Sequence, residues 1–473
     1  MLARLWNSPT ATTWGSIAVR LSSAIVVLPL VLVRFAPAEV TVWQLFATLF
    51  AINLLLDFGL SPTFARLIAF ARGGASLRDM VDMRRPTPTS TSQADSAAIS
   101  MIFGTMRWLF PRLALVIIVV LGMMGTLALL RPIAQTSSVG ASWIAWALVL
   151  MGSAIGLIGN SYGATLQGLN RIAVLRRWEV ITGLAQVLSC FVVVALGAEL
   201  LLLVATYQLW VLVGVWRTRW LLKRLHPEVY ESKPCKHSLV LEIVWPATWR
   251  SGIGTLMSQG IIQGSGVIYS QFVPPTQAAA YLLALRVIMM ISQFSQASFY
   301  SKLPRLAELH AQGANEEKIL LAQRGMRFSH WIYVSGVLFV ALAADRALMA
   351  INSQTPFVTQ EIWALIALAF FLERFGAMHL QLYTLTNHVV WHIANGVTGI
   401  VMVCLAFWAY PQWGERALPL AMLAAYGSFY CVYSARLSSK ALGLRLAAFE
   451  LRTALPAGAV LCSALLVIHL NVV

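Results

Sequence analysis

The sequence predicts an all-α polytopic membrane protein, built from two parallel six-helix bundles and an extra C-terminal helix. Three observations lead to this fold class. The chain is 59% hydrophobic and only 11% charged, whereas a soluble domain carries about 25% charged residues. Apolar stretches of membrane-spanning length recur along the whole chain. Lys and Arg residues gather in alternate connections, which is typical of cytoplasmic loops.

Thirteen apolar stretches are long enough to be spans, because a helix needs about 20 apolar residues to cross the hydrocarbon core. They are too long and too uniformly apolar for barrel strands, which alternate over about ten residues. Each stretch is therefore predicted to be a helix. In chain order they cover 14–34, 41–65, 109–130, 143–166, 180–198, 200–216, 244–271, 278–300, 329–350, 360–385, 389–410, 417–435 and 453–471.

The net charge of +16 would suggest nucleic-acid binding in a soluble protein, but in a membrane protein it predicts orientation. With the N-terminus in the cytoplasm, the inner connections hold 26 of the 34 Lys and Arg residues. The outer connections hold four, and the other four are arginines within spans. We therefore expect a multi-pass protein with a cytoplasmic N-terminus, contacts with membrane lipids and no nucleic-acid partner.

Each end of the chain leaves an alternative open. Leu21–Val33, followed by Ala36-Pro37-Ala38, also fits a signal peptide with a small-residue cleavage site. A thirteenth crossing would place Val473 outside the cell, whereas a re-entrant or absent final crossing would leave it inside. Neither choice changes the side of the membrane that is assigned to the other connections.

An internal duplication predicts the domain organisation. The segment Ala65–Gly74 matches Pro304–Gly313 at an Arg, a Leu and the final Gly. Six helices in each half make the repeats parallel, which is typical of alternating-access transporters with a cavity between two lobes. The predicted divisions are 1–220 for the N-terminal lobe, 221–243 for a basic cytoplasmic linker, 244–437 for the C-terminal lobe, and 438–473 for an amphipathic segment with an additional apolar helix.

Charged residues within spans are the candidate functional residues, because each costs about 2.5–3.5 kcal/mol on insertion scales. Arg20 and Arg250 lie one to two turns into the first helix of each half. They either snorkel to the inner interface or line a cavity where two guanidinium groups bind a phosphate. Arg286 lies deeper, where it suits the outer half of a cavity.

Two further sites carry acidic residues. Glu373 and Arg374 are near the middle of a span and point about 100° apart on a helix. They fit an interhelical pair, or a coupling role for Glu373. Asp57 lies close to Gly59 and Pro62, which can break the helix. It could satisfy the freed backbone groups, pair with a nearby arginine, or take part in gating.

Several kinds of chemistry are excluded or disfavoured. The sequence contains no GxxxxGK[ST] phosphate loop, and its outer connections are too short for an extracellular active site. His388 and His392 have metal-ligand spacing but lack an accompanying carboxylate, so no metal site is expected. The five cysteines are scattered and fit neither a disulfide framework nor a zinc pattern.

Two segments resemble a known family. Leu54–Gly74, LLLDFGLSPTFARLIAFARGG, resembles the second-helix signature of the multidrug/oligosaccharidyl-lipid/polysaccharide (MOP) exporter superfamily, in particular its Wzx-type flippases. Leu166–Gly183, LQGLNRIAVLRRWEVITG, is similar to the loop between the fourth and fifth helices of that branch. The chain departs from the usual twelve helices after Arg436, where one more apolar stretch follows.

The resemblance implies a transporter rather than an enzyme. It would be a flippase of the bacterial inner membrane that carries an undecaprenyl-diphosphate-linked oligosaccharide outward for surface or exopolysaccharide synthesis. Other polysaccharide-assembly proteins would be partners, no cofactor is implied, and a proton or sodium gradient is the candidate energy source. Carried over by position, the substrate contacts are Arg20, Arg250, Arg286 and Arg374, and the coupling or gating residues are Asp57 and Glu373.

Two other functions are compatible with parts of this pattern. A cation-coupled exporter of drugs or small molecules would share the architecture, but it would favour several acidic residues in the spans. Here two acidic residues stand against four arginines, which favours an anionic cargo. An integral-membrane polysaccharide polymerase or glycosyltransferase fits the composition, but it would require a large outer loop.

Overall fold

The computed structural model describes most of the predicted membrane domain. The structure describes residues 26–55, 59–73, 95–300, 315–385, 390–443 and 445–472, and the single positions 19, 57, 77, 302, 303, 306 and 309. Within these ranges the side chains at 51–55, 246–247, 250–251, 254–259, 261, 297 and 471–472 are not described.

Over these residues the regular secondary structure is helical throughout. Residues 26–34 are helical, and sixteen α-helices follow. They are α1 (Pro37–Leu55), α2 (Leu60–Arg72), α3 (Ser96–Ala134), α4 (Val139–Gly168), α5 (Ile172–Ala195), α6 (Leu200–Leu225), α7 (Pro227–Tyr230), α8 (Ser238–Phe272), α9 (Pro275–Tyr300), α10 (Asn315–Ala350), α11 (Gln360–Thr384), α12 (Trp391–Trp413), α13 (Ala417–Ala425), α14 (Cys431–Leu442), α15 (Leu446–Glu450) and α16 (Ala454–Val472).

Eight helical runs in the described part of the chain are long and apolar enough to cross a membrane. One of them, Trp391–Leu442, has 52 residues, which is far more than one crossing needs. It turns at Gly414, whose φ of 51° is unfavourable for other residues, and α13 packs back against α12. This run therefore makes two crossings, and the predicted all-α polytopic membrane fold is confirmed.

The chain forms two compact units, Met1–Leu256 and Met257–Val473. In the first unit, α4 lies at the centre and packs against α1, α2, α3 and α6. Gly159 allows the close approach of α4 and α6, because a Cβ atom there would lie 2.5 Å from a methyl group of Val215. Small residues at helix contacts serve the same purpose in many membrane proteins.

In the second unit, α11 lies at the centre and contacts α9, α10, α13, α14 and α16. Trp363 and Tyr333 are fully buried in its hydrophobic core. Their polar atoms are satisfied by backbone carbonyls: the Tyr333 hydroxyl donates to Ala367 at 2.7 Å, and the Trp363 indole donates to Val337 at 3.4 Å. Buried aromatic residues therefore join α10 to α11 with their hydrogen bonds satisfied.

Within each unit, the predicted outer connections meet at one end. In the first unit, Arg34, Ser137 and Glu199, from three successive outer connections, line one pocket of about 250 Å³. In the second unit, Arg416 pairs at 2.9 Å with Glu361, in the first turn of α11. The connections that the charge count assigns to the outside therefore lie at one end of each unit, and the side of the membrane that they face stays a prediction.

The extra C-terminal helix α16 packs on α10 and α11. Buried hydrogen bonds attach the segment before it to the rest of the unit. The imidazole of His379, on α11, contacts Glu450 Oε1 at 2.9 Å and Ser438 Oγ at 2.6 Å. Thr453 donates to Glu450 Oε2 at 2.7 Å. The helix beyond the usual twelve is thus part of the C-terminal unit.

Removing this carboxylate should destabilise the C-terminal unit. We expect Glu450→Ala to lower stability by about 1–3 kcal/mol, because it leaves the buried Nε2 of His379 without its partner and removes the shorter of the two hydrogen bonds of the Thr453 hydroxyl. Thermal unfolding in detergent measures the effect. The control is Glu228→Ala, because the side chain of Glu228 is 62% exposed. An unfolding midpoint for Glu450→Ala equal to that of the wild type would contradict the structural role.

Candidate transport site

The structure describes four of the six charged residues predicted within spans. These four are Asp57, Arg286, Glu373 and Arg374. Arg20 lies outside the described residues. The backbone of Arg250 belongs to α8, but its side chain is outside the description. The described charged residues of the spans are thus one acidic residue in the first unit and three residues on α9 and α11 in the second.

Glu373 and Arg374 form a pair at the centre of the second unit. Arg374 Nη2 lies 3.4 Å from Glu373 Oε2. The arginine side chain is 1% exposed, whereas that of the glutamate keeps 18% of its surface exposed. The two neighbouring side chains therefore differ in burial: that of the arginine is enclosed, whereas that of the glutamate is partly exposed.

Arg374 also joins α11 to α9. Its Nη1 donates to the backbone carbonyl of Ser292 at 3.4 Å. With the oxygen of the Gln296 amide turned toward the guanidinium, that oxygen accepts from both terminal nitrogens at 2.7 and 2.6 Å. Tyr300 is a further hydrogen-bond partner. A buried guanidinium requires such acceptors, so Arg374 is an interhelical residue.

His330 is a buried polar residue that the sequence-based predictions did not include. It is 0% exposed on α10, and its ring centroid lies 4.9 Å from that of Phe371. Neither ring nitrogen has a hydrogen-bond partner among the described residues. The predicted span began at residue 329, whereas α10 begins at Asn315, so His330 lies about four turns inside the helix.

Asp57 is placed at the break in the second predicted span. The segment divides into α1 and α2, and Gly59 adopts a φ of 74° between them. Asp57 Oδ2 accepts from the Ser61 backbone at 3.1 Å, and Oδ1 accepts from its hydroxyl at 2.8 Å. The carboxylate therefore caps the start of α2, which is the local backbone role predicted for it.

Arg286 lies on α9 and is half-buried. It is eleven residues beyond Pro275, the first residue of the helix, and at 1.5 Å per residue it lies about 16 Å from that end. The charge count assigns this end to an outer connection. With that orientation, Arg286 would lie in the outer half of the span.

Arg217 was counted with the inner connections but is a buried helical residue. The structure extends α6 to Leu225, beyond the predicted end at residue 216. Arg217 is 8% exposed and donates to the hydroxyls of Thr182 at 2.6 Å and Thr218 at 3.0 Å. Only the packing of α5 on α6 brings Thr182 to this arginine.

The described residues contain no group of three or more His, Cys, Asp or Glu side chains that could bind a metal ion. His392 lies on α12, and His388 is outside the described residues. The charged pair of the second unit consists of the partly exposed side chain of Glu373 and the buried guanidinium of Arg374.

Comparison with solved structures relates the whole fold to transporters. The chain is similar to the inward-facing conformation of a multidrug resistance MATE family transporter of the MOP superfamily, with a TM-score of 0.68, 14% identity, and coverage of 92% of this chain and 98% of that one. The lipid II flippase MurJ in an inward closed conformation matches with a TM-score of 0.63, 11% identity, and coverage of 97% and 93%. The outward-facing conformation of a multidrug resistance MATE family transporter matches with a TM-score of 0.57, 12% identity, and coverage of 94% of this chain and 98% of that one.

No family model matches the chain, and no curated protein matches it by sequence. The similarity to solved structures extends over nearly the full length of each partner, with no large domain left over on either side. The chain has the fold of the MOP superfamily transporters, as the resemblance of its second-helix segment predicted.

Proposed function

We propose that this protein is a flippase of the bacterial inner membrane. It moves an undecaprenyl-diphosphate-linked oligosaccharide to the outer leaflet, with its own N-terminus in the cytoplasm. The observation that carries this proposal is the charge of the spans, where four arginines stand against two acidic residues. A diphosphate and its sugars need a polar path through hydrocarbon, and arginines supply bidentate donors for phosphate. The fold shared with the lipid II flippase MurJ supports the same substrate class.

In this proposal the arginines have two kinds of role. Arg20, Arg250 and Arg286 contact the diphosphate or the first sugars during transport. Arg374 is fully enclosed, so it acts on the cargo through the position of Glu373 and α9 rather than by direct contact. Arg374 is set apart because its side chain is enclosed and both terminal nitrogens of its guanidinium already donate to Glu373, Ser292 or Gln296.

Glu373 is the coupling residue in this proposal. Its carboxylate is partly exposed and lies beside a fixed cation, so binding of a proton or sodium ion would change the charge balance between α9 and α11. Asp57 is the second acidic candidate. It acts as a hinge residue, because its carboxylate holds the start of α2 next to the break at Gly59.

A cation-coupled exporter of small molecules is the competing function. The TM-score of 0.68 to a MATE transporter favours this alternative, since it exceeds the value for MurJ. The two functions differ in what accumulates when the gene is lost. A flippase deletion leaves lipid-linked oligosaccharide in the inner leaflet, whereas an exporter deletion raises sensitivity to the exported compound.

A deletion strain should accumulate lipid-linked oligosaccharide. We expect extracts to contain several times the wild-type amount of the undecaprenyl-diphosphate-linked intermediate, measured by mass spectrometry of the lipid pool. Expression of the wild-type gene should restore the normal amount. Unchanged lipid pools together with increased drug sensitivity would refute the flippase proposal and support export of small molecules.

Loss of the two first-helix arginines should abolish complementation. We expect Arg20→Ala combined with Arg250→Ala to leave surface polysaccharide below about a tenth of the wild-type amount, because each charge-assisted phosphate contact contributes about 1.5–3 kcal/mol. Arg436→Ala is the control, since this exposed arginine lies in the middle of α14, one residue beyond the predicted twelfth span. If the double variant, at the same protein abundance as the wild type, restored surface polysaccharide fully, the proposed diphosphate contact would be wrong.

Removing the charge of Glu373 should impair gradient-driven transport without destabilising the protein. We expect Glu373→Gln to keep the thermal stability of the wild type within a few degrees, because the amide oxygen still accepts from Arg374. In proteoliposomes, transport of the lipid-linked oligosaccharide driven by an imposed proton or sodium gradient should be at least tenfold slower than with the wild type. The exposed Glu228 supplies the matched control, Glu228→Gln. Gradient-driven transport at the wild-type rate in Glu373→Gln would show that coupling lies elsewhere.

A further inference from the structure

A cationic aromatic surface lies on the first unit, at the end that the charge count assigns to the cytoplasm. It consists of Trp108 and Arg112 on α3 and Lys236 on the connection before α8, and we call it the Trp108 surface. The Arg112 guanidinium carbon lies 4.2 Å from the Trp108 ring centroid, and Lys236 Nζ lies 5.8 Å from it. Both cations are exposed, and the indole is half-buried.

Backbone contacts hold Lys236 at this surface. The Cys235 backbone donates to the carbonyl of Gly104 on α3 at 3.2 Å. The connection runs so close to α3 that a Cβ atom at Gly104 would lie 2.8 Å from the carbonyl oxygen of Lys233. Arg107 fixes the preceding turn by donating to the carbonyls of Tyr230 at 3.1 Å and Ser232 at 2.9 Å. The connection is thus attached to the helix at several points next to Lys236.

The Trp108 surface continues into an apolar stripe on α3. Arg112 is followed at helical spacing by side chains that share its face, and each of these is more than half exposed. In a membrane protein such a stripe faces lipid. Its members are Leu115, Val116, Val119, Met123 and Leu127.

The depth of the surface matches a lipid headgroup. No charged residue lies between Arg112 and Arg131. At 1.5 Å per residue, this part of α3 extends for about 27 Å, close to the thickness of the hydrocarbon core. Arg112 therefore lies at the inner boundary of the hydrocarbon, and Trp108 lies one turn further toward the cytoplasm, where tryptophan is enriched.

We propose that the Trp108 surface binds the phosphate headgroup of an anionic phospholipid of the inner leaflet. The guanidinium of Arg112 donates to the phosphate oxygens, the ammonium of Lys236 adds a second positive charge, and the acyl chains lie along the apolar stripe. The two cations favour an anionic headgroup, and the continuous apolar stripe favours a lipid over a free anion. The proposal is independent of the transported substrate, because it assigns this surface to a resident lipid.

Lipid titration of the purified full-length protein, followed by native mass spectrometry, tests this proposal. The variant is Arg112→Gln with Lys236→Gln, and the probes are phosphatidylglycerol, phosphatidylcholine and a polyprenyl diphosphate. We expect the variant to bind phosphatidylglycerol about tenfold more weakly, because each cation near the surface contributes to the attraction. Binding of phosphatidylcholine should weaken much less, because its choline cation cancels the charge of its phosphate.

The matched control is Lys223→Gln with Arg224→Gln, which removes the same charge from the inner end of α6. Arg224 also lies over a tryptophan, 5.2 Å from the ring of Trp220. We expect this control to keep phosphatidylglycerol affinity within about twofold of the wild type. If the first variant fails to fold, Arg112→Lys with Lys236→Arg retains both charges and should keep the preference for phosphatidylglycerol over phosphatidylcholine.

Three results would overturn the proposal. The first is an unchanged preference for phosphatidylglycerol in Arg112→Gln with Lys236→Gln. The second is an equal loss in the α6 control, which would mean that only the overall charge matters. The third is tighter wild-type binding of the polyprenyl diphosphate than of phosphatidylglycerol, lost in the variant, because that would assign the surface to loading of a lipid diphosphate.

Discussion

The C-terminal unit depends on one buried charge, the guanidinium of Arg374. A charge enclosed in this way is tolerated only where acceptors surround it. Arg374 finds them on its own helix at Glu373 and on α9 at Ser292 and Gln296. These contacts fix the distance between α9 and α11. Because α11 is also the central helix of the unit, the same helix that carries this charge contacts α9, α10, α13, α14 and α16.

The same helix carries a second buried polar contact, one and a half turns further along. His379 joins α11 to Ser438 on α14 and to Glu450 before α16. The two sites differ in burial, because the side chains of His379 and Glu450 are enclosed whereas that of Glu373 stays partly exposed. This difference is compatible with the coupling role proposed for Glu373 and with a purely structural role for His379.

The sequence predicted the fold in those features that the bilayer imposes. The length of the apolar stretches predicts the helices, the alternation of basic residues predicts which connections lie together, and Gly59 predicts the break between α1 and α2. The helices that extend beyond the bilayer were not predicted, because no hydrophobic limit marks their ends. For this reason Arg217 and His330 were placed near helix ends, whereas the structure buries both.

The partners of the charged residues depend on tertiary contacts that local pattern does not encode. Glu450 is 71 residues from His379, and Ser292 is 82 residues from Arg374. Burial thus separates Arg374 from Arg286, which is half-buried, although the two arginines look alike in the sequence. The charge imbalance that favours an anionic lipid-linked cargo is, by contrast, a property of the sequence itself.

The most direct test of flippase activity uses the purified protein in proteoliposomes that contain a lipid-linked oligosaccharide. An enzyme added outside, which cleaves only the oligosaccharide exposed on the outer leaflet, measures movement between leaflets. We predict that the protein raises the cleaved fraction from about one half toward completion, because flipped molecules keep reaching the outer leaflet. A cleaved fraction that stays at one half, while the same vesicles transport a small cationic compound, would contradict the proposed function.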